Sequence, residues 1–158
     1  MTINITFEVH CLAWSIVLGL AHILIAGNAR TKELGYKWNL GARDEITQDL
    51  NPLTGHLLRA QSNFFETFPL FASAVLIVAV SNTYSVYSYW GSLIYLIARI
   101  IYLPLYALGV PVIRTIIWLV SIIGLLLVLL PSLLNVHVCC QHLKCGFWFA
   151  QRLYLPAF

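Results

Sequence analysis

Four apolar stretches, Phe7 to Gly27, Leu58 to Val80, Tyr89 to Leu108 and Val112 to Leu134, occupy most of this sequence. Each can reach across a hydrocarbon layer about 30 Å thick, which takes about 20 helical residues. Of the 158 residues, 60% are hydrophobic and 9% charged, whereas roughly a quarter are charged in a soluble domain. The expectation is an all-α integral membrane protein. Residues 1–134 form a four-helix up-down bundle with helices near 7–27, 58–80, 89–108 and 112–134, followed by a 135–158 tail with no legible fold. So little mass lies outside the bilayer that a sizeable cavity calls for an oligomer.

The net charge of +3 points to no partner, and no basic stripe suited to nucleic acid is present. No Lys or Arg precedes the first apolar run, which argues against a removable leader and for a retained first helix. Arg30, Lys32, Lys37, Arg43 and Arg59 cluster in or beside the first loop, while the second loop, residues 81–88, has no Lys or Arg. The positive-inside rule therefore places the first loop in the cytoplasm and both termini outside, against the weaker pull of Lys144 and Arg152. Tyr36, Trp38, Tyr84, Tyr87, Tyr89 and Trp90 fall near run ends, as an interfacial aromatic belt would.

Ser15, Gly19, His22 and Ala26 form a helical stripe of small and polar residues on which another helix can pack closely. His22 is read as an interhelical hydrogen-bonding group rather than a ligand. The 28–57 loop carries turn signals at Gly41, Pro52 and Gly55, and Arg43 to Leu50 reads as a short surface helix. The tail holds His137, Cys139, Cys140, His142 and Cys145. Structural zinc sites favour ligand pairs two to four residues apart, which adjacent cysteines do not supply, so no metal is expected.

One constellation stands out against this apolar background. Arg59, Asn63 and Glu66 share a helical stripe at the entrance of the second run, with Asn63 about 40° and Glu66 about 20° either side of Arg59. Pro69 should kink that helix just beyond. Arg99, Tyr102 and Tyr106 fall within about 60° on one face of the third run. Arg114 opens the fourth, after a turn at Gly109 and Pro111, and Arg30 closes the first. In an up-down bundle all four arginines lie near one membrane face. Ion pairing of Arg59 or Arg99 with Glu66 accounts for one cation, and arginines near helix ends can snorkel to the headgroups. The surplus fits an anionic ligand whose carboxylates meet guanidinium forks and whose ammonium meets Glu66. Glutathione has that complement of groups.

The run Arg59-Ala60-Gln61-x-Asn63-x-x-Glu66-x-Phe68-Pro69, followed by Ala98-Arg99-x-x-Tyr102-x-x-x-Tyr106, resembles the MAPEG family, which includes microsomal glutathione S-transferases and a leukotriene-forming synthase. The likeness covers residues 10–130 and looks closest to bacterial members, which implies an inner-membrane location. It implies a homotrimer binding glutathione between subunits and open to the cytoplasmic leaflet. By matching position, Arg30, Arg59, Gln61, Asn63, Glu66, Arg99, Tyr102 and Tyr106 correspond to glutathione contacts. Gln61 points about 160° from the Arg59 stripe and would serve the neighbouring subunit's site. Arg114 is the positional match for the thiol-activating arginine.

The reaction so implied is attack of a glutathione thiolate on a lipophilic electrophile or hydroperoxide, with Phe64, Phe65 and Leu105 as apolar walls. A relative that binds a partner or lipid without catalysis is one alternative. The other is a small multidrug transporter, in which Glu66 would take a cationic drug.

Overall fold

The computed structural model describes residues 6–41, 50–109 and 111–153, with the side chains of 6–41, 50–109 and 112–134. Among the described residues five helices follow in order: α1 (Phe7–Leu34), α2 (Tyr36–Leu40), α3 (Pro52–Ser81), α4 (Val86–Ala107) and α5 (Pro111–Leu153). The described residues contain no strand. α1, α3, α4 and the Val112–Leu134 part of α5 are each long and apolar enough to cross a membrane.

Hydrogen bonds at the two ends fix the up-down order. At one end the Glu33 carboxylate, near the close of α1, accepts from the Thr54 hydroxyl and from the Asn51 N–H at 3.0 Å. Asn51 caps α3 by accepting from the Leu53 N–H at 3.0 Å, and Pro52 occupies the first helical position, where its missing N–H costs nothing. The α4–α5 turn reaches the same end, since a Cβ on Gly109 would stand 3.0 Å from His56 Cε1. Gly109 has φ +71°, a left-handed conformation that glycine adopts without strain.

At the opposite end Phe7 stacks on Tyr89 with centroids 4.1 Å apart, and the Ser88 hydroxyl donates to the buried Glu8 carboxylate at 2.7 Å. The Thr83 and Ser132 hydroxyls lie 2.9 Å apart there. Ser85 and Ser88 close a reciprocal capping box at the start of α4.

α4 and α5 are the most intimate pair, with α3 against both; α1 packs on α3 and α4. The seam between α4 and α5 works because two glycines face each other. A Cβ on Gly91 would lie 2.6 Å from the Gly124 carbonyl oxygen, so no larger residue allows this approach. The rest of the bundle has a lipid-facing polarity. Ser15, His22, Ser88, Ser92, Arg99 and Ser121 are buried, while Leu20, Leu24, Leu70, Val80 and Ile123 are exposed. With hydrocarbon as solvent that distribution is favourable, because apolar side chains meet lipid while Ser15, Ser88, Ser92, Arg99 and Ser121 hydrogen-bond inside the bundle.

The all-α, four-span reading is thus the observed fold. Several details differ. α1 runs on past its apolar stretch to Leu34, and α3 and α4 begin before theirs, at Pro52 and Val86, where Asn51 and Ser85 cap them. The tail beyond Leu134, which had no legible fold in the sequence, continues as α5 backbone to Leu153; the side chains of its cysteines and histidines, and residues 43–49 of the short helix read at Arg43 to Leu50, lie outside the described residues. All four residues of the α1 stripe are buried. His22, however, makes no hydrogen bond through either ring nitrogen among the described residues. It stacks on Phe64 at 4.8 Å instead, since α3 presents an aromatic ring at that level.

Candidate functional site

α3 turns Ala60, Phe64, Thr67 and Phe71 inward, and Asn63 sits half-buried at the edge of that face. α4 turns Tyr95, Arg99, Tyr102 and Tyr106 inward at successive spacings of four, three and four, all of them buried. Where α5 starts, Arg114 comes over this row. Together Asn63, Tyr102, Tyr106, Arg114, Thr115 and Trp118 line a cavity of about 210 Å³ between α3, α4 and α5.

Guanidinium groups stand at both ends of a pair of tyrosine rings, one in the cavity lining and one behind it. The Arg114 guanidinium carbon lies 4.4 Å from the Tyr106 ring centroid, and the Tyr106 and Tyr102 rings meet at 5.3 Å with planes 60° apart. The Arg99 guanidinium carbon is 5.4 Å from the Tyr102 ring. A cation over a ring face is attracted by the ring quadrupole, so both tyrosine rings are held in place by a neighbouring guanidinium. His56 touches Tyr106 edge-on at 6.2 Å, joining the start of α3 to this row.

Arg99 is 1% exposed and does not line the cavity. It donates to Asn63 Oδ1 at 3.2 Å and to Thr67 Oγ1. Neither Arg99 nor Arg59 pairs with Glu66, the ion pair weighed from sequence. Glu66 is exposed and accepts a long hydrogen bond, 3.5 Å, from the Ser62 hydroxyl. Arg59 is exposed beside Gly55.

On the other side of α3 is a second hollow of about 420 Å³, whose polar lining is Asn28, Arg30, Thr31, Asn39 and Gln61. The Arg30 guanidinium carbon stands 5.5 Å over the Trp38 ring of α2. The short helix α2 therefore steadies one cation of this hollow.

The nine residues singled out from sequence thus divide. Asn63, Tyr102, Tyr106 and Arg114 meet in one cavity, and Arg30 and Gln61 meet in another. Arg99 stands behind the first, while Arg59 and Glu66 line neither. Phe64, expected on an apolar groove wall, is fully buried and stacked between His22 and Phe68, so it faces the bundle interior. Sequence reasoning passed over Thr67, Tyr95, Thr115 and Trp118. Helical spacing held a signal for the first two, since Thr67 follows Asn63 by four and Tyr95 precedes Arg99 by four.

Chemically, the smaller cavity is lined by donors around a guanidinium, with no carboxylate among its lining residues. It suits an anion or a group that becomes one. No cluster of three His, Cys, Asp or Glu side chains suited to a metal occurs among the described residues. Compared with known proteins, residues 11–134 match the model of the MAPEG family. No curated protein matches the chain.

Proposed function

This chain belongs to the MAPEG family, and from that premise we propose that it is a membrane glutathione transferase or peroxidase acting on lipophilic electrophiles or hydroperoxides. The observation that carries the reading is the Arg114 guanidinium placed over Tyr106 in a cavity shared with Asn63 and Tyr102. A thiol with a pKa of about 8.5 is mostly protonated at neutral pH. A fixed guanidinium beside the sulfur favours the thiolate, which is the nucleophile. Arg114 takes that role in the proposal, with Asn63, Tyr102 and Tyr106 holding the peptide.

The division of the predicted residues between two hollows supports an assembly as a homotrimer. Arg30 and Gln61, which face the other way, would complete the cavity of the neighbouring subunit. Arg59 and Glu66, exposed in a single chain, would gain ligand or subunit contacts there. The second substrate partitions into lipid and arrives laterally. In this proposal the protein lies in a bacterial inner membrane, with the first loop cytoplasmic and both termini outside.

The test is calorimetry of the purified protein with glutathione, beside turnover of an aryl halide and of a lipid hydroperoxide. Glutathione binding with either turnover, and loss of turnover in Arg114→Ala with binding retained, is the expected result. Binding without turnover of any electrophile would favour a non-catalytic relative. Thermal stabilisation by lipophilic cations, with no response to glutathione, would point to a transporter.

A further inference from the structure

Arg99 is a cation enclosed by membrane helices, with no carboxylate at ion-pair distance among the described residues. Burying a charge is costly unless hydrogen bonds and a partner compensate it, so its surroundings reveal what it does. Its polar partners are neutral. One terminal nitrogen donates to Asn63 Oδ1 at 3.2 Å and the other to Thr67 Oγ1, while the Tyr95 and Tyr102 rings flank it at 5.6 and 5.4 Å. Thr67 is itself fixed, with its hydroxyl 3.3 Å from both the Phe64 carbonyl oxygen and the Tyr95 hydroxyl. The guanidinium is thus clamped from one side and reaches Asn63 on the other.

A guanidinium has five donors and no acceptor. The Asn63 atom facing Arg99 must then be the carbonyl oxygen, which leaves the amide nitrogen as the free end of a side chain that lines the cavity. We infer that Arg99 is a positioning residue: from behind the wall it holds the Asn63 amide with its N–H groups toward the ligand, so that this position selects a hydrogen-bond acceptor such as a carboxylate. An unanchored asparagine presents either end with similar ease. Anchored, it adds donors to a lining that already holds Arg114, Tyr102 and Tyr106, and it admits no ammonium or other donor group at that point. The inference rests on the proposed function for the identity of the ligand; the polarity of Asn63 comes from Arg99 alone.

The experiment is calorimetry on the full chain in detergent, with glutathione and with its diethyl ester as probes. Asn63→Ala should weaken glutathione about tenfold, the loss of one hydrogen bond to a charged group. Asn63→Asp should weaken it further, because one oxygen pairs with Arg99 and the other meets the ligand's acceptor. That gap between Asp and Ala should vanish with the diethyl ester, which carries no carboxylate charge; a merely structural role for Asn63 would leave it in place. Arg99→Lys combined with Asn63→Ala should bind as weakly as Asn63→Ala alone. Wild-type binding of glutathione with Asn63→Asp as tight as Asn63→Ala, or an additive double variant, overturns the positioning role. Wild-type protein that fails to bind glutathione overturns the proposed function instead, and with it the ligand assumed here. Should Arg99→Lys not fold, the Asp and Ala variants decide the matter, since both keep Arg99.

Discussion

At the scale of single residues, the contrast between Arg99 and Arg114 is instructive. Both are arginines against tyrosine rings, 5.4 and 4.4 Å from their centroids, yet one is enclosed and the other lines a cavity. In the proposed reaction only the second, which lines the cavity, is placed to meet the thiol sulfur. Replacing it should therefore act on rate: Arg114→Ala is expected to lower turnover by about two orders of magnitude, as loss of a preorganised charge-stabilising group does elsewhere. The thiolate absorbance of bound glutathione should fall in parallel, and an undiminished thiolate signal would remove Arg114 from the chemistry. At the far end, Glu8 is a buried carboxylate held by the Ser88 hydroxyl at 2.7 Å. Ser88→Ala should cost about 1–3 kcal/mol, the penalty for stripping a partner from a buried polar group. Thermal unfolding in detergent measures it, and turnover per folded molecule should not change.

At the scale of elements, the seam between α4 and α5 decides where Arg114 stands relative to Tyr102 and Tyr106. The two helices approach through Gly91 and Gly124, and a Cβ on Gly91 would sit 2.6 Å from a carbonyl oxygen and 2.8 Å from a backbone nitrogen. Backbone cannot yield as a flexible side chain can. Gly91→Ala should destabilise the protein by about 1–3 kcal/mol through overpacking. An alanine variant unfolding at the wild-type temperature would contradict so close a seam. α2 has a different part, because its Trp38 carries the Arg30 guanidinium at 5.5 Å. The loop holding it looked in the sequence like a long connection; the packing of α2 brings Asn39 into the lining of the second hollow and sets Trp38 under Arg30.

At the scale of the whole molecule, one helix separates two hollows, and Arg30 cannot serve the Arg114 cavity of its own chain from the far side of α3. A cyclic oligomer resolves this by bringing one face of each subunit to the opposite face of the next. Mixed assemblies test the idea. Chains carrying Arg30→Ala and chains carrying Arg114→Ala should each be inactive as pure oligomers. Every mixed trimer, isolated through two different affinity tags, should recover activity at its one interface with both native arginines. Mixed trimers as inactive as their parents would refute a shared site.

The sequence alone carried the architecture, because a membrane reduces folding to a simple rule. Backbone without water must hydrogen-bond within itself, so length and hydropathy suffice to mark four helices. Spacing also sufficed to place Tyr102 and Tyr106 on one face with Arg99, and the Arg59 motif with its companions named the family. Which of those residues meet was settled by packing. Asn63, half-buried at a helix edge, is assigned to one cavity by α5 lying beside it; Gln61, two residues earlier on the helix, turns to another. The split of the predicted set, the enclosure of Arg99 and the stacking of His22 on Phe64 depend on side-chain contacts between helices far apart in sequence. Periodicity reports the direction a residue takes from its own helix axis, and only the tertiary structure supplies the neighbour found there.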